Sequence, residues 1–296
     1  MITPENITTK KFITFMAIAF GAAMIPLCLA GYMLSTGNTL AFMFLFRVVA
    51  IFIPLVAVLI SGAGFKKLGF KPKRFIWIIP ALVAPQILSW IGAAVFFAVF
   101  PDSFELGFEG FLSQLPSELA SFNVFSSIDP SAYLAVMIFM SLTFIPVSQI
   151  LPSFGEEAGW RGVMYPFLKS RFGKTAGRII GGVLWGMWHW PLILIGNYFY
   201  GSNYPGFPVL GPVMICVALT SFGILIDYLY EKTGSIIIAS LAHSAMNAAS
   251  MPILLLTSAA ADQILGPSPF ALFPVIPVII AAIVLTVTDR NKNKGV

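Results

Sequence analysis

Eight long apolar runs, none with more than one charged residue, leave this chain few places to fold. They extend from about Phe12 to Leu34, Leu40 to Ile60, Phe75 to Phe100, Tyr133 to Leu151, Ile179 to Ile195, Pro208 to Leu229, Ile236 to Leu256 and Phe270 to Val287. Each is close to the roughly 20 residues that a helix needs to cross the hydrocarbon of a bilayer. In that solvent every backbone N–H and C=O must be satisfied within the protein, which restricts spanning runs of this length to helices. With 58% hydrophobic and 10% charged residues in 296, the chain cannot present a polar surface on all sides. The expectation is an all-α polytopic membrane protein, a single integral domain over residues 1–296 built as a bundle of about eight transmembrane helices. The first apolar run exceeds the about 7–15 residues of a signal-peptide core, so it is expected to remain as the first span.

Charge sits between the runs. Lys and Arg number two in the N-terminal segment, five in the loop after the second run, five from Arg161 to Arg178, one at Lys232 and three in the tail, 16 of the 17 on one side. Such a bias over short loops predicts that these loops and both termini are cytoplasmic. The net charge of +5 is therefore read as a topology signal, and nucleic acid is not an expected partner. The segment from Pro101 to Pro130 carries Asp102, Glu105, Glu109, Glu118 and Asp129 and no basic residue. Within it Phe111, Leu115, Leu119 and Phe122 recur at helical spacing, as in a helix lying at the interface. Cys28 and Cys216 both fall inside apolar runs and read as packing residues rather than a disulfide or metal framework. Arg47, inside the second run, is expected to pair with a buried partner and hold two helices together.

The remaining polar residues concentrate in three places: Ser153-Phe-Gly-Glu156-Glu157-Ala-Gly-Trp-Arg161, Trp185-Gly-Met-Trp-His189 and His243-Ser-Ala-Met-Asn247. Ser153 and Glu156 have the spacing of a helix capping box, and Glu157 and Arg161 that of an i,i+4 ion pair. Two carboxylates beside lipid cost several kcal/mol, however, which argues that they are used. His189 lies about eleven residues beyond Arg178, roughly 16 Å into the fifth run, and His243 about nine residues beyond Gly234, roughly 13 Å into the seventh. Asn247 shares a helix face with His243. Two histidines at matched depth below a carboxylate pair read as one site. A glutamate general base acting on water, one histidine orienting that water, and a histidine and an asparagine donating to an oxyanion make a hydrolytic set. Gly155 and Gly159 leave backbone room for a substrate chain or for close helix packing. There is no Gly-x-Ser-x-Gly elbow and no His-Glu-x-x-His helix. Two alternatives stay open: a zinc site formed by the two histidines and a glutamate, and a non-catalytic binding protein or solute carrier using the same cavity. These residues alone do not decide which glutamate is the base.

At these motifs the sequence resembles the CPBP family of intramembrane proteases, which includes the Abi proteins and the CAAX-processing Ras-converting endopeptidases. The family pattern is Glu-Glu-x-x-x-Arg, an aromatic residue four before a histidine, and His-x-x-x-Asn; the aromatic position is usually Phe, where this chain has Trp185. The resemblance covers about residues 134–251, the expected catalytic core. It implies that Glu156 is the catalytic base, that His189 positions the water, that His243 and Asn247 form the oxyanion site, and that Glu157 and Arg161 support them. It also implies eight helices around a cavity open to the cytoplasm, no metal cofactor, and a membrane-associated peptide substrate, prenylated in the CAAX-cleaving members. Compact loops and the absence of an ER-retrieval signal favour a bacterial plasma membrane. The oligomeric state is left open.

Overall fold

The computed structural model describes residues 7–65, 68–71, 74–108, 112 and 128–293. The expected interfacial helix around Phe111 to Phe122 lies outside the described residues. Among the described residues the chain is helical, with one isolated bridge between Phe104 and Thr257 and no strand. Seven helices are long and apolar enough to cross a membrane: α1 Thr9–Ser35, α2 Thr39–Ser61, α3 Phe75–Val99, and, further on, Lys174–Gly196, Leu210–Thr233, Ile236–Leu254 and Leu272–Asp289.

Between α3 and these later helices the chain traverses the bundle in pieces: α4 Pro130–Leu142, α5 Phe144–Ser148, α6 Ile150–Gly159, a π turn Trp160–Met164, and α7 Tyr165–Phe172. Its two ends show that it is a full crossing. Tyr133 at its start packs on Phe108, whereas Lys169 near its finish pairs with Asp227 and Glu231 at the opposite end of the molecule. Counting this segmented stretch with α8 Lys174–Gly196, α9 Leu210–Thr233, α10 Ile236–Leu254 and α11 Leu272–Asn293 gives eight traverses. The fourth span, in which Pro146 marks an expected interruption, is broken for local reasons. Thr143 leaves helical geometry at φ −129°, ψ −78°, and Pro146 and Pro152 follow, each without a backbone N–H to donate. The carbonyl freed at Ser141 accepts from Gln86 Nε2 of α3 at 2.8 Å, so the break is satisfied inside the protein.

Burial divides the helices into shells. In the most apolar stretches of α9 and α10 78% of residues are buried, against 28% in α1 and α11, which identifies the first pair as the centre and the second as lipid-facing walls. Exposed Ile87, Ile91 and Val95 on α3 and Ile276, Ile280 and Val284 on α11 recur every four residues, as expected of one face turned to lipid. α8 and α9 approach closely because small residues line their contact: an added methyl at Gly186 would stand 2.5 Å from Cys216 Cα, and one at Gly182 would collide with Thr220. Gly155 and Gly159 serve the same purpose against Ile51 and Pro54 of α2 and do not open room for a substrate chain.

At the end of the bundle where the basic residues gather, α7, α8, α9 and α11 are tied by one ionic cluster. Asp227, fully buried, receives Lys169 Nζ at 2.7 Å and Arg178 Nε at 2.6 Å; Arg178 also reaches Glu231 at 3.0 Å and Asp289 at 2.9 Å. Arg178 and Arg161 are thus buried structural cations rather than loop charges, and the connection between α7 and α8 shrinks to Gly173 with φ +78°. The basic bias of the loops survives with these two removed. Asp227→Asn leaves two cations of the cluster short of their shared counter-charge, and removing one partner of a buried pair costs about 3–5 kcal/mol. A clear fall in the melting temperature of the purified protein in detergent is expected, while Lys174→Gln, at a half-exposed edge, is expected to leave it nearly unchanged.

Candidate active site

Glu156, Glu157, Arg161, His189 and His243 meet in the middle of the bundle, carried by α6, the π turn after it, α8 and α10, with Asn247 one turn beyond His243 on α10. Ser153 does not cap a helix. α6 begins at Ile150 with Gln149 before it, so Ser153 and Glu156 are helix-interior residues, and the Ser153 and Ser244 hydroxyls share a hydrogen bond of 2.9 Å that joins α6 to α10. The carboxylates accordingly stand level with the histidines instead of above them at a water-facing helix start. Glu156 is 3% exposed and Glu157 not at all.

The two glutamates have different surroundings. Glu157 Oε1 accepts from Arg161 Nη1 at 2.8 Å, one turn along the same helix, and from His243 Nδ1 at 2.8 Å across the bundle. Its other oxygen is buried with no partner among the described residues. Arg161 is held further: Nη2 donates to the Gly223 carbonyl at 3.1 Å, and its guanidinium lies over the rings of Tyr165 at 4.5 Å and Trp185 at 4.7 Å, with only Nε unbonded among the described residues. Glu156, by contrast, is gripped at one oxygen only. Oε2 accepts from the indole N–H of Trp185 at 2.8 Å and of Trp160 at 3.1 Å, and Oε1 makes no hydrogen bond among the described residues.

Both histidines are oriented through Nδ1. A carbonyl only accepts, so the 3.0 Å contact between His189 Nδ1 and the Trp185 carbonyl has the ring donating. The same reasoning makes His243 Nδ1 the donor to Glu157. Each Nε2 is thereby left for other chemistry. His189 occupies the junction of the two halves of α8, where the helix is interrupted, and its ring meets Phe46, Trp188 and Phe199 edge-on. His243 packs edge-on against Trp185 at 5.1 Å. Asn247, half-buried one turn beyond His243, has a side-chain amide with no hydrogen bond among the described residues. Glu156 and His243 both act on His189 electrostatically, which brings three of the expected residues into one neighbourhood. Among the described residues no three His, Cys, Asp or Glu side chains are arranged to hold a metal ion.

Residues outside the expected set complete the site. Trp160 and Trp185 clamp Glu156, and Trp188, stacked edge-on to Trp160 at 6.0 Å, donates to the Ala19 carbonyl in the π turn of α1. The signal for Trp160 was present in the i,i+4 spacing from Glu156, which sets an indole one turn from the carboxylate. Trp185 was noted only as an aromatic packing position; the identity of that aromatic matters because an indole donates and a phenyl ring does not.

Fold and site together define a multi-pass membrane protein with a buried glutamate–histidine centre. Residues 138–249 match the family model described as Type II CAAX prenyl endopeptidase, Rce1-like. A curated protein of Methanococcus maripaludis named CAAX prenyl protease 2 is 30% identical over 120 residues, 36% of this chain. The chain covers 40% of that relative's length. The matched stretch runs from α4 to α10 and contains all six of the motif residues, which supports the resemblance read from the motifs.

Trp185→Phe keeps a ring over Arg161 and removes one donor to Glu156 Oε2. Loss of a hydrogen bond to a charged group predicts about 1.5–3 kcal/mol of destabilisation. Trp185→Ala adds a cavity and is expected to cost about 3–5 kcal/mol. Thermal unfolding of both variants in one detergent checks the order; a Phe variant as stable as the parent would show that the indole N–H contributes nothing.

Proposed function

We propose that this protein is an intramembrane endopeptidase that uses Glu156 as general base, without a metal. The observation that carries the reading is the asymmetry of the two glutamates. Glu157 is enclosed between Arg161 and His243 and its one unbonded oxygen is sealed in the core, whereas Glu156 is fixed through Oε2 and keeps its unbonded Oε1 on the less buried of the two carboxylates. A general base needs a positioned carboxylate with one oxygen in reach of the water it deprotonates.

In the reaction proposed, a water oriented by His189 Nε2 gives its proton to Glu156 Oε1 as its oxygen bonds to the scissile carbonyl carbon. The resulting oxyanion receives hydrogen bonds from His243 Nε2 and the Asn247 amide. Collapse breaks the carbon–nitrogen bond, and the proton on Glu156 passes to the departing amine. His243 already donates from Nδ1, so donation from Nε2 as well requires the imidazolium form, for which Glu157 is the counter-charge. Arg161 fixes Glu157 in turn. In this scheme Glu157 and Arg161 are positioning residues, and the catalytic residues are Glu156, His189, His243 and Asn247.

The relative's name, CAAX prenyl protease 2, directs the choice of substrate to a C-terminal prenylated peptide. In this proposal the active-site opening and both termini lie on the cytoplasmic side of a plasma membrane, an orientation that the bias of Lys and Arg to one side supports. With a farnesylated, fluorogenic CAAX peptide, cleavage by the purified parent is expected and should survive chelation. Glu156→Gln and Glu156→Ala should lower kcat by at least the about 10²–10⁴ that general-base catalysis supplies. Asn247→Ala should lower kcat by about 10²–10³ with a smaller change in KM, as for loss of an oxyanion donor. Turnover retained by folded Glu156→Gln would overturn the mechanism, and activity lost on chelation and restored by zinc would favour a metal-dependent hydrolase.

A further inference from the structure

Among the described residues the intramembrane cation Arg47 has no counter-charge. Arg47 lies on the π turn Leu45–Val49 of α2, 14 residues from Ser61 and 8 from Thr39, or about 21 Å and 12 Å from the two helix ends. Among the described residues it forms no ion pair and no hydrogen bond, and its Nε is buried without a partner. Its one cation contact is the ring of Phe46 at 5.6 Å. The expected helix-bridging partner is not found among the described residues. Arg47 is half-buried; the two fully buried arginines each have a counter-charge, Arg161 in Glu157, with the Gly223 carbonyl beside it and only its Nε unbonded, and Arg178 in three carboxylates. An unpaired charge within membrane-spanning segments costs several kcal/mol, which favours an occasional partner at this position over none.

Position indicates the partner. Phe46, next in sequence, packs edge-on to His189 at 6.3 Å, and the Arg47 charge acts on His189 together with those of Glu156 and His243. Arg47 therefore belongs to the periphery of the catalytic site without touching Glu156 or His243. A lipid phosphate does not suit a group so far from either end of α2. In this reading a C-terminal C-a-a-X peptide is cut after its prenylated cysteine, three residues from its end, which sets its free carboxylate about 10 Å beyond the scissile bond, at about 3.3–3.6 Å per extended residue.

We infer that Arg47 binds the free C-terminal carboxylate of the substrate peptide and so selects bonds near a chain end. The inference rests on the endopeptidase reading above. In binding the carboxylate the guanidinium supplies N–H donors to both oxygens, a match that lysine reproduces only as a point charge.

The test compares one farnesylated peptide with a free C-terminal carboxylate and the same peptide amidated, in neutral and in anionic lipid micelles. The parent is expected to favour the acid by about ten- to a hundredfold in kcat/KM, mostly through KM, the range expected for a hydrogen bond to a charged group. Arg47→Gln should reduce cleavage of the acid to the level of the amide and lower the amide no further, and Arg47→Lys should restore part of the preference. Equal cleavage of acid and amide by the parent would overturn the inference, as would an Arg47→Gln loss that is the same for both. An unchanged acid preference in Arg47→Gln, with activity that follows anionic lipid content, would assign Arg47 to a lipid phosphate and overturn it too. If the folded parent cleaves neither peptide, the endopeptidase reading is what fails. Binding of fluorescent acid and amide forms then decides Arg47: a preference for the acid that Arg47→Gln abolishes supports it, and equal binding overturns it.

Discussion

The buried pairing of Glu157 with Arg161 and His243 is the interaction on which the rest of this structure depends. It joins α6, the π turn that follows it and α10 at a depth where an uncompensated charge is expensive, and its geometry leaves little freedom to any of the three groups. The Arg161 guanidinium is further confined between two aromatic rings and a backbone carbonyl of α9. That carbonyl is reachable because Gly223 has no side chain; a methyl there would run into the Tyr165 hydroxyl and stand 3.4 Å from Arg161 Nη2. One ion pair therefore sets the mutual placement of the fourth, sixth and seventh traverses, and with it the ring of His243.

Interrupted helices bring the remaining groups inward. Arg47 and Arg161 both lie in π turns, where an extra residue per turn widens the helix and redirects the side chain, a feature often found at functional sites. His189 sits where α8 breaks for one residue. In a bilayer each such interruption frees backbone groups that water cannot serve, and here side chains serve them instead: Trp188 at Ala19, Gln86 at Ser141, Trp90 at Ala249. The abundance of buried tryptophan follows from this requirement. An indole combines a large apolar body with a single N–H, so it fills space in the core while bonding one stranded acceptor.

The helical crossings were legible from hydropathy because lipid permits little else for runs of this length, and the three motifs were legible because polar residues are rare among them. Boundaries shifted by a few residues, as with α8, which begins at Lys174 rather than Ile179. The errors share one physical origin. Ser153 to Glu156 read as a cap, and Arg161 and Arg178 read as loop charges, because spacing along the chain reports which residues are near in sequence and says nothing of what another helix places opposite them. Arg178 illustrates this: its three carboxylate partners come from α9 and α11, 49 to 111 residues away. The clamp of Trp160 and Trp185 on Glu156 was missed for the same reason, since only one of the two is a helix neighbour.

Solvent and composition alone thus determined the class of architecture, the number of traverses to within the segmented fourth, the strip of residues in which chemistry could occur, and the resemblance that the motifs carry. Those properties depend on residue type and short-range periodicity, which one dimension records in full. Which glutamate keeps an open oxygen, which nitrogen of each histidine is committed, and which arginine lacks a partner were decided only by the tertiary structure. Each is a question of hydrogen-bond supply between helices distant in sequence, and that supply exists only once the bundle has closed.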